Sequence, residues 1–540
     1  MDRTDSQLNY AAARARPWGA GRLFRRMIAW VAAGITDART ARAAVAGFVF
    51  AHVVAWTVIL CLLKTAQDLH FDTTEAYAWG RDFLLGYGKH PPLSGWIAGV
   101  WFRFAPATDA SAYALAMATT GFGLFVCWLI ACRVVDRRRA FLSVVLLALY
   151  PIFNFKGFKY NADLAQVAVL QLIVLAYLNA FERRTARAGL WLGLAAAAGM
   201  LTKYWALTMI GAVGLAALLH PQRAAFLRSP APWVAIAAFV VAMAPHFIWL
   251  WQMDFAPFVY AGTYAHMSRA RSVVAAADFL GHNFALLAPV LIALVLVLSL
   301  RAPGSRRWLW WPGWFVLRAS AGPRPAPAIN VWSIQGILVG APVGGAIALA
   351  VVMKTDWGIP MFFLTPLALL AWPRVRVRRI APVGALATWL VITVSVLALA
   401  PSLARHSFAR QAAQGTTYTA DSRLAEQLTE LWRLRFGTPW AVAASYVEAA
   451  TPMTFYSPDH PKPLELEAAW GAGLTTLEEA RRSGFIGICE TADPRLAACM
   501  AWMQENAANA ERIEVTQRRF FHGMAGPQGL WHVFIVPPAR

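Results

Sequence analysis

The chain has 540 residues, 59% of them hydrophobic and 14% charged, with 25 tryptophans and a mean hydropathy of +0.48. That is too apolar for an ordinary soluble domain, and the apolar residues come in blocks long enough to cross a bilayer, so a polytopic membrane protein is expected. The formal charge of +21 does not point to nucleic acid, because the arginines sit in short gaps between apolar blocks and no basic, aromatic-interleaved soluble domain is visible.

Residues 1–42 are polar and Arg-rich and are expected to form a cytoplasmic N-terminus. The apolar block that follows is long enough to remain as an anchor, so no cleaved leader is expected. Spans are predicted near 43–63, 110–134, 140–154, 164–181, 188–201, 205–219, 231–251, 280–300, 336–353, 358–373 and 380–401. These amount to about eleven helices in a transmembrane domain over 43–401, some shorter than the ~20 residues of a perpendicular crossing.

With the N-terminus inside, Arg22, Arg25, Arg26, Arg137 to Arg139, Arg183, Arg184, Arg187, Arg223, Arg228, Arg301, Arg306, Arg307, Arg374, Arg376, Arg378 and Arg379 all fall on the cytoplasmic side. The alternation obeys the positive-inside rule. The stretch "ASAGPRPAPA" (319–328) reads as a low-complexity cytoplasmic loop. Loops 64–92, 154–163, 202–204, 252–279 and 354–357 fall on the opposite side, and their cations are mostly Lys64, Lys89, Lys156, Lys159, Lys203 and Lys354.

From 402 to 540 the chain changes character. "PWAVAASYV", "FIGICE" and "WHVFIVPP" read as short strands, and "ADSRLAEQLTELWRLRF" and "PRLAACMAWMQENA" as amphipathic helices, which predicts a small periplasmic α/β domain. Cys489 and Cys499 fall in this domain, where an oxidising compartment permits a bridge, and two free buried thiols are an equal reading.

The first extracytoplasmic loop, 64–92, gathers polar side chains between two apolar blocks. Asp68 and Asp82 read as solvated interface charges. Asp72 and Glu75, three residues apart, share one face if a helix begins at Thr73 or Thr74, where Asp72 would also suit an N-cap.

An acidic pair in this loop is followed by "LGYGKHPPLSGW", "FKYNADLAQVAVLQLIVLAY", "GLWLGLAAAAGMLTKY" and "KTDWGIPM". Over residues 45 to 375 this order resembles the GT-C membrane glycosyltransferases that use polyprenyl-phosphate-linked sugars, in the branch of protein O-mannosyltransferases and the lipid A aminoarabinose transferase. The resemblance implies a first-loop catalytic acid, for which Asp72 is the first choice and Glu75 the second. Many relatives carry adjacent Asp-Glu, whereas this chain has Thr74 before Glu75 and its Asp two residues earlier. By the same resemblance His90, with Lys89 and Tyr87 of its motif, lies beside the donor site. Asp163 matches the acid of the second loop, Lys203 with Tyr204 the fifth-span motif, and Lys354 a basic residue that meets the lipid phosphate.

Chemistry fits those roles. Cleavage of an anomeric carbon–phosphate bond calls for cations at the leaving group, here Lys203, Lys354 and Arg269 or Arg271, and for a carboxylate that takes the acceptor's proton. Snorkelling at a span end is the competing explanation for each cation. No cofactor is required by the motifs, though a divalent cation bridging Asp72, His90 and phosphate is chemically admissible. His246 reads as a core histidine satisfied by backbone.

The sequence therefore predicts a multi-pass protein of a bacterial inner membrane that moves one sugar from a polyprenyl phosphate to an envelope lipid, glycan or protein at the periplasmic face. The competing class is a flippase of lipid-linked sugars, whose expected signs, broken helices in related halves and acids within spans, are missing from the sequence.

Overall fold

The computed structural model describes residues 33–539 apart from 38, 263–267, 300–325, 412–415 and 468. Arg22, Arg25, Arg26, Arg301, Arg306, Arg307 and residues 319–325 of the low-complexity stretch lie outside the described residues. Its last three residues open a helix, α12, rather than continuing a loop.

The membrane part contains α1 (Ala41–Leu63), α2 (Phe71–Asp82), α3 (Leu93–Phe104), α4 (Asp109–Val134), α5 (Arg137–Leu147), α6 (Ala162–Arg183), α7 (Ala186–Thr202), α8 (Leu207–Leu219), α9 (Pro230–Gln252), α10 (Ala256–Gly262), α11 (Arg269–Ser299), α12 (Ala326–Leu349), α13 (Thr365–Leu370) and α14 (Ala381–Gln411). Helix starts follow local chemistry. Thr108, Asp136, Asn161 and Thr185 each cap a helix by accepting a hydrogen bond from a first-turn amide.

Among the described residues seven helices, α1, α4, α6, α9, α11, α12 and α14, are long and apolar enough to cross a membrane. There are eight if α5 and the turns Pro151–Phe158, bent by 80°, form one span. The eleven spans expected from hydropathy differ from this for visible reasons. Pro151 breaks 140–154, and 358–373 carries Pro360, Pro366 and Pro373 and forms only the six-residue α13. The expected 188–201 and 205–219 segments are the shorter apolar helices α7 and α8.

The most enclosed spans are α4 and α6, whereas α1, α9, α11, α12 and α14 leave much of their surface outward. That surface is set with exposed Phe50, Trp233, Val241, Ile292 and Val391, as a lipid-facing wall should be. Helix α7 meets α9 through Gly193, where an added Cβ would lie 2.3 Å from Ala235 O. Backbones this close are the packing that small residues permit within a bilayer.

The C-terminal part is the expected small α/β unit. It comprises α15 (Asp421–Phe436), β1 (Val442–Ser445), α16 (Val447–Tyr456), β2 (Lys462–Glu465), α17 (Leu477–Ser483), β3 (Phe485–Glu490), α18 (Leu496–Asn506), β4 (Glu511–Phe521) and β5 (Met524–Val536). The sheet order is β2-β1-β3-β5-β4, with β1 parallel to β2 and β3, and β5 antiparallel to β3 and β4. One face packs Leu424, Leu428 and Trp432 of α15 on Ile486, Ile488 and Val533. The other packs Cys499 and Met503 of α18 on Val442, Phe485 and Phe534. Cys489 and Cys499 are bridged, which decides between the two readings.

This unit sits on the first loop. Asp68, expected to be a solvated charge, is instead 4% exposed, ion-paired with Arg519 and hydrogen-bonded by Ser422 Oγ at 2.8 Å. Its hydrophilic neighbours in sequence gave no hint of a partner some 450 positions away. Tyr456 OH donates to Asp109 Oδ1 at 2.9 Å and accepts from Leu69 N at 2.7 Å, and Phe455 packs edge-on against Tyr77. Replacing Arg519 by Leu would strand a buried carboxylate, at a cost of about 3–5 kcal/mol. Limited proteolysis should then cut the C-terminal unit of that variant faster than the wild type, and Asp68→Asn/Arg519→Leu should regain most of the protection.

Candidate active site

Helix α2 begins at Phe71, two or three residues before the expected start at Thr73 or Thr74, because the His70 ring accepts the Asp72 amide and acts as the cap. Asp72 is therefore not an N-cap. Its carboxylate lies in the first turn and points to the loop between α5 and α6, where Lys159 Nζ is 3.0 Å away and Asn161 Nδ2 donates at 2.9 Å. Asn161 caps α6 with its other side-chain atom, so one residue fixes both the helix and the acid. Lys159 also lies 3.4 Å from Asp356. Burial opposes ionisation of Asp72, but Lys159, His70 and Asn161 outweigh it and hold the carboxyl well below its usual range.

Glu75 stands one turn along α2, buried, and pairs with Lys89 Nζ at 2.9 Å. Burial pushes its pKa up to about 7 against the pull of Lys89. Lys89 itself is raised: burial disfavours its charge, and Glu75 more than restores it. The Lys89 ammonium also faces the Trp470 ring, 4.8 Å from its centroid, and the Tyr260 ring at 6.0 Å. Trp470 belongs to the C-terminal unit. The approach is close enough that a Cβ on Gly88 would strike the Trp470 carbonyl at 2.2 Å.

A cavity of about 620 Å³ opens beside these residues. Lys89, His90, Lys203, Tyr204, Tyr260 and Trp357 line its polar end, and Leu207, Leu215, Ile337 and Pro342 its apolar length between α8 and α12. Lys203 Nζ is 2.7 Å from Asp163 Oδ1, which joins the lysine at the end of α7 to the acid in the first turn of α6. Burial, then the charges of Lys203 and Lys89, push the His90 imidazole well below its usual pKa, so the ring facing the cavity is neutral. His246 donates to or accepts from Tyr204 OH at 2.9 Å and meets Leu85 O at 2.7 Å, a satisfied core histidine as expected.

The other expected site residues are not part of this lining. Tyr87 is fully buried, donates to Trp79 O at 2.6 Å and stacks on the Trp79 ring, which makes it a brace of the first loop. Lys354 is exposed just before Trp357, and Arg269 and Arg271 are exposed at the start of α11. Among the described residues no group of three or more His, Cys, Asp or Glu side chains is placed to hold a metal ion. The two residues suggested for one, Asp72 and His90, have other neighbours: Asp72 is held by Lys159 and Asn161, and His90 meets the aromatic edges of Trp79 and Tyr260.

Comparison with known proteins bears on the fold that carries these residues. Residues 89–249 match the family model described as dolichyl-phosphate-mannose-protein mannosyltransferase. The chain is also similar to the crystal structures of ArnT from Cupriavidus metallidurans. For the apo state the TM-score is 0.59 at 13% identity, and for the form bound to undecaprenyl phosphate 0.55 at 12%, each covering 92% of this chain and 99% of that one. The chain has the ArnT fold. In sequence the chain is 24% identical over 311 residues to lipid A galacturonosyltransferase RgtD of Rhizobium johnstonii. That match covers 53% of this chain and 61% of that protein's length.

The partners that hold the candidate site residues left no sign in the sequence. Lys159, Asn161 and Asp356 all lie inside or beside motifs that were quoted, yet nothing in their spacing tied them to Asp72. Tyr260 and Trp470 carried no signal beyond being aromatic. Glu465 lies at the end of β2 and is pushed up to about 8, by burial first and with Glu75 and Glu448 adding to the effect. It brings a third carboxylate near Lys89 from a unit read as a separate domain.

Proposed function

We propose that this protein is a glycosyltransferase that moves a single sugar from a polyprenyl-phosphate donor to an envelope lipid, glycan or protein acceptor at the periplasmic face of a bacterial inner membrane. The observation that carries the reading is the cavity with a cationic, hydrogen-bonding end and an apolar length, whose Lys89 is paired with Glu75, one helical turn from Asp72 on α2. An isoprenoid phosphate has that division of chemistry: an anionic head and a long hydrocarbon tail.

In this reading Lys89 and Lys203 lie against the donor phosphate. They stabilise the charge that grows on it as the bond from the anomeric carbon to the phosphate oxygen breaks. The acceptor oxygen or nitrogen forms the new bond to that carbon, and its proton goes to a carboxylate. Asp72 is the base on grounds of access, its side chain 23% exposed whereas that of Glu75 is 9% exposed and committed to Lys89, although Lys159 and Asn161 weaken its basicity. Glu75 holds Lys89 in place, and neutral His90 can donate one hydrogen bond to phosphate without adding charge.

A pH dependence follows. Because burial raises Glu75 to about 7, acidification through that value removes its charge and releases Lys89 from the pair. Donor kcat/KM should fall as pH drops below about 7, and Glu75→Gln, which has no charge to lose, should show a lower rate without that limb.

The same reading places the loops that carry Asp72, Asp163, Lys203 and Lys354 in the periplasm with the C-terminal unit, and the arginine-rich turns in the cytoplasm. It counts α7 and α8 as crossings that complete the bundle. A reporter active only in the periplasm should be on when fused at the C-terminus and off after Arg139 or Arg379. A silent C-terminal fusion would remove the common face on which the site depends.

A further inference from the structure

The loop between β2 and α17 leaves the C-terminal unit and lies against the first loop beside the polar end of the cavity. Its root is anchored by Glu467, whose carboxylate lies 3.5 Å from Arg495 and whose carbonyl accepts the Trp470 amide at 2.9 Å. Its middle rests on Gly88, where an added Cβ would lie 2.2 Å from the Trp470 carbonyl and 2.5 Å from that of Ala469. Further along, Gly473 takes a φ of +78°, open to glycine, and a Cβ there would lie 3.4 Å from Leu84 Cδ1 and 3.6 Å from Trp249 Nε1 of α9.

This seat brings the Trp470 ring to 4.8 Å from Lys89 Nζ and perpendicular to the Tyr260 ring, which lies 6.0 Å from the same ammonium. Two aromatic rings and Glu75 therefore surround one cation whose side chain is 8% exposed. A free lysine stem samples many rotamers, and fixing it on binding costs entropy that such a surround removes beforehand. An aromatic face also attracts the ammonium without bringing an oxygen that would compete with phosphate for its N–H groups.

We infer that Trp470 is a positioning residue for Lys89, through which the C-terminal unit takes part in binding the donor phosphate. The inference rests on the reading of Lys89 as a phosphate contact and deepens it. A tryptophan that only filled space could be replaced by any bulky apolar side chain, whereas one that aims Lys89 needs its ring face. The two roles are separable here, because the backbone of residues 469 and 470, and not the indole, makes the close contact with Gly88.

The test uses the full chain in mild detergent and two probes, undecaprenyl phosphate and undecaprenol, which share a hydrocarbon tail and differ in the phosphate. Trp470→Leu, which keeps apolar bulk without a ring, should weaken binding of undecaprenyl phosphate roughly three- to thirtyfold, and Trp470→Phe should retain most of it. Lys89→Gln should weaken it about ten- to hundredfold. Adding Trp470→Leu to Lys89→Gln should cost nothing more, since the ring then has no cation to hold. Undecaprenol should bind the wild type and all variants alike. Trp470→Leu at wild-type affinity, with Lys89→Gln impaired, overturns the role of Trp470 and leaves the phosphate contact standing; Lys89→Gln at wild-type affinity overturns both. An equal loss with undecaprenol, a loss in Trp470→Phe as large as in Trp470→Leu, or a further loss in the double variant would make the tryptophan a packing group and overturn the proposal as well.

Discussion

Asp72→Asn should abolish sugar transfer while leaving the protein inserted and folded. The substitution keeps the size and one acceptor oxygen of the side chain but removes its charge and its capacity to take a proton. General-base catalysis contributes typically 10²–10⁴-fold, so a loss of about that size is expected in turnover with the donor saturating. The structure removes the main structural alternative, because His70 and not Asp72 caps α2, so helix stability does not depend on the carboxylate. Lys159 loses one partner in the variant and keeps Asp356, and Asn161 still caps α6, which limits the cost to the fold. Single-turnover transfer from a synthetic polyprenyl-phosphate sugar, with thermal unfolding measured in parallel, separates the two effects. Wild-type turnover in Asp72→Asn would move the base to Glu75 and make Asp72 an anchor for Lys159. A variant that fails to fold would be replaced by Asp72→Asn/Lys159→Gln, which removes both charges.

The membrane class, the C-terminal α/β unit and the GT-C likeness were legible because each rests on a pattern that neighbouring residues carry together. Apolar blocks, alternating strand residues and short ordered motifs survive in one dimension. Chain breaks were less legible: hydropathy passes smoothly over 140–154 and 358–373, and only the prolines within them show that the helix cannot continue. Long-range pairs were not legible at all. Asp68 looks like any loop carboxylate until Arg519 is beside it, and Lys159 looks like any interfacial lysine until Asp72 is 3.0 Å away. The candidate site divides in the same way. Asp163 and Lys203 were singled out separately, and the structure shows one ion pair. Glu75 and Lys89, chosen for different roles, prove to be partners. Sequence marks which residues carry chemistry; it does not mark which of them neutralise each other, and that decides which remain available to a substrate.

That last distinction shapes the expected behaviour of Lys203. If the lysine only snorkelled, arginine would replace it with little loss and glutamine would chiefly weaken insertion. Its ammonium instead lies 2.7 Å from Asp163, with both side chains almost enclosed and the cavity alongside. Lys203→Gln should therefore do two things at once. It strands the Asp163 carboxylate, which lowers stability, and it removes a charge-assisted contact to the donor phosphate worth about 1.5–3 kcal/mol, on the order of a ten- to hundredfold rise in donor KM. The double variant Asp163→Asn/Lys203→Gln separates the two, since it leaves no stranded charge. Its thermal stability should return toward wild type while its donor KM stays high. Lys354→Gln, at an exposed position, should leave stability unchanged, and its effect on donor KM shows directly whether that lysine reaches the phosphate. If the double variant regains both stability and donor use, Lys203 serves only to hold Asp163, and Lys89 becomes the cation that meets the phosphate.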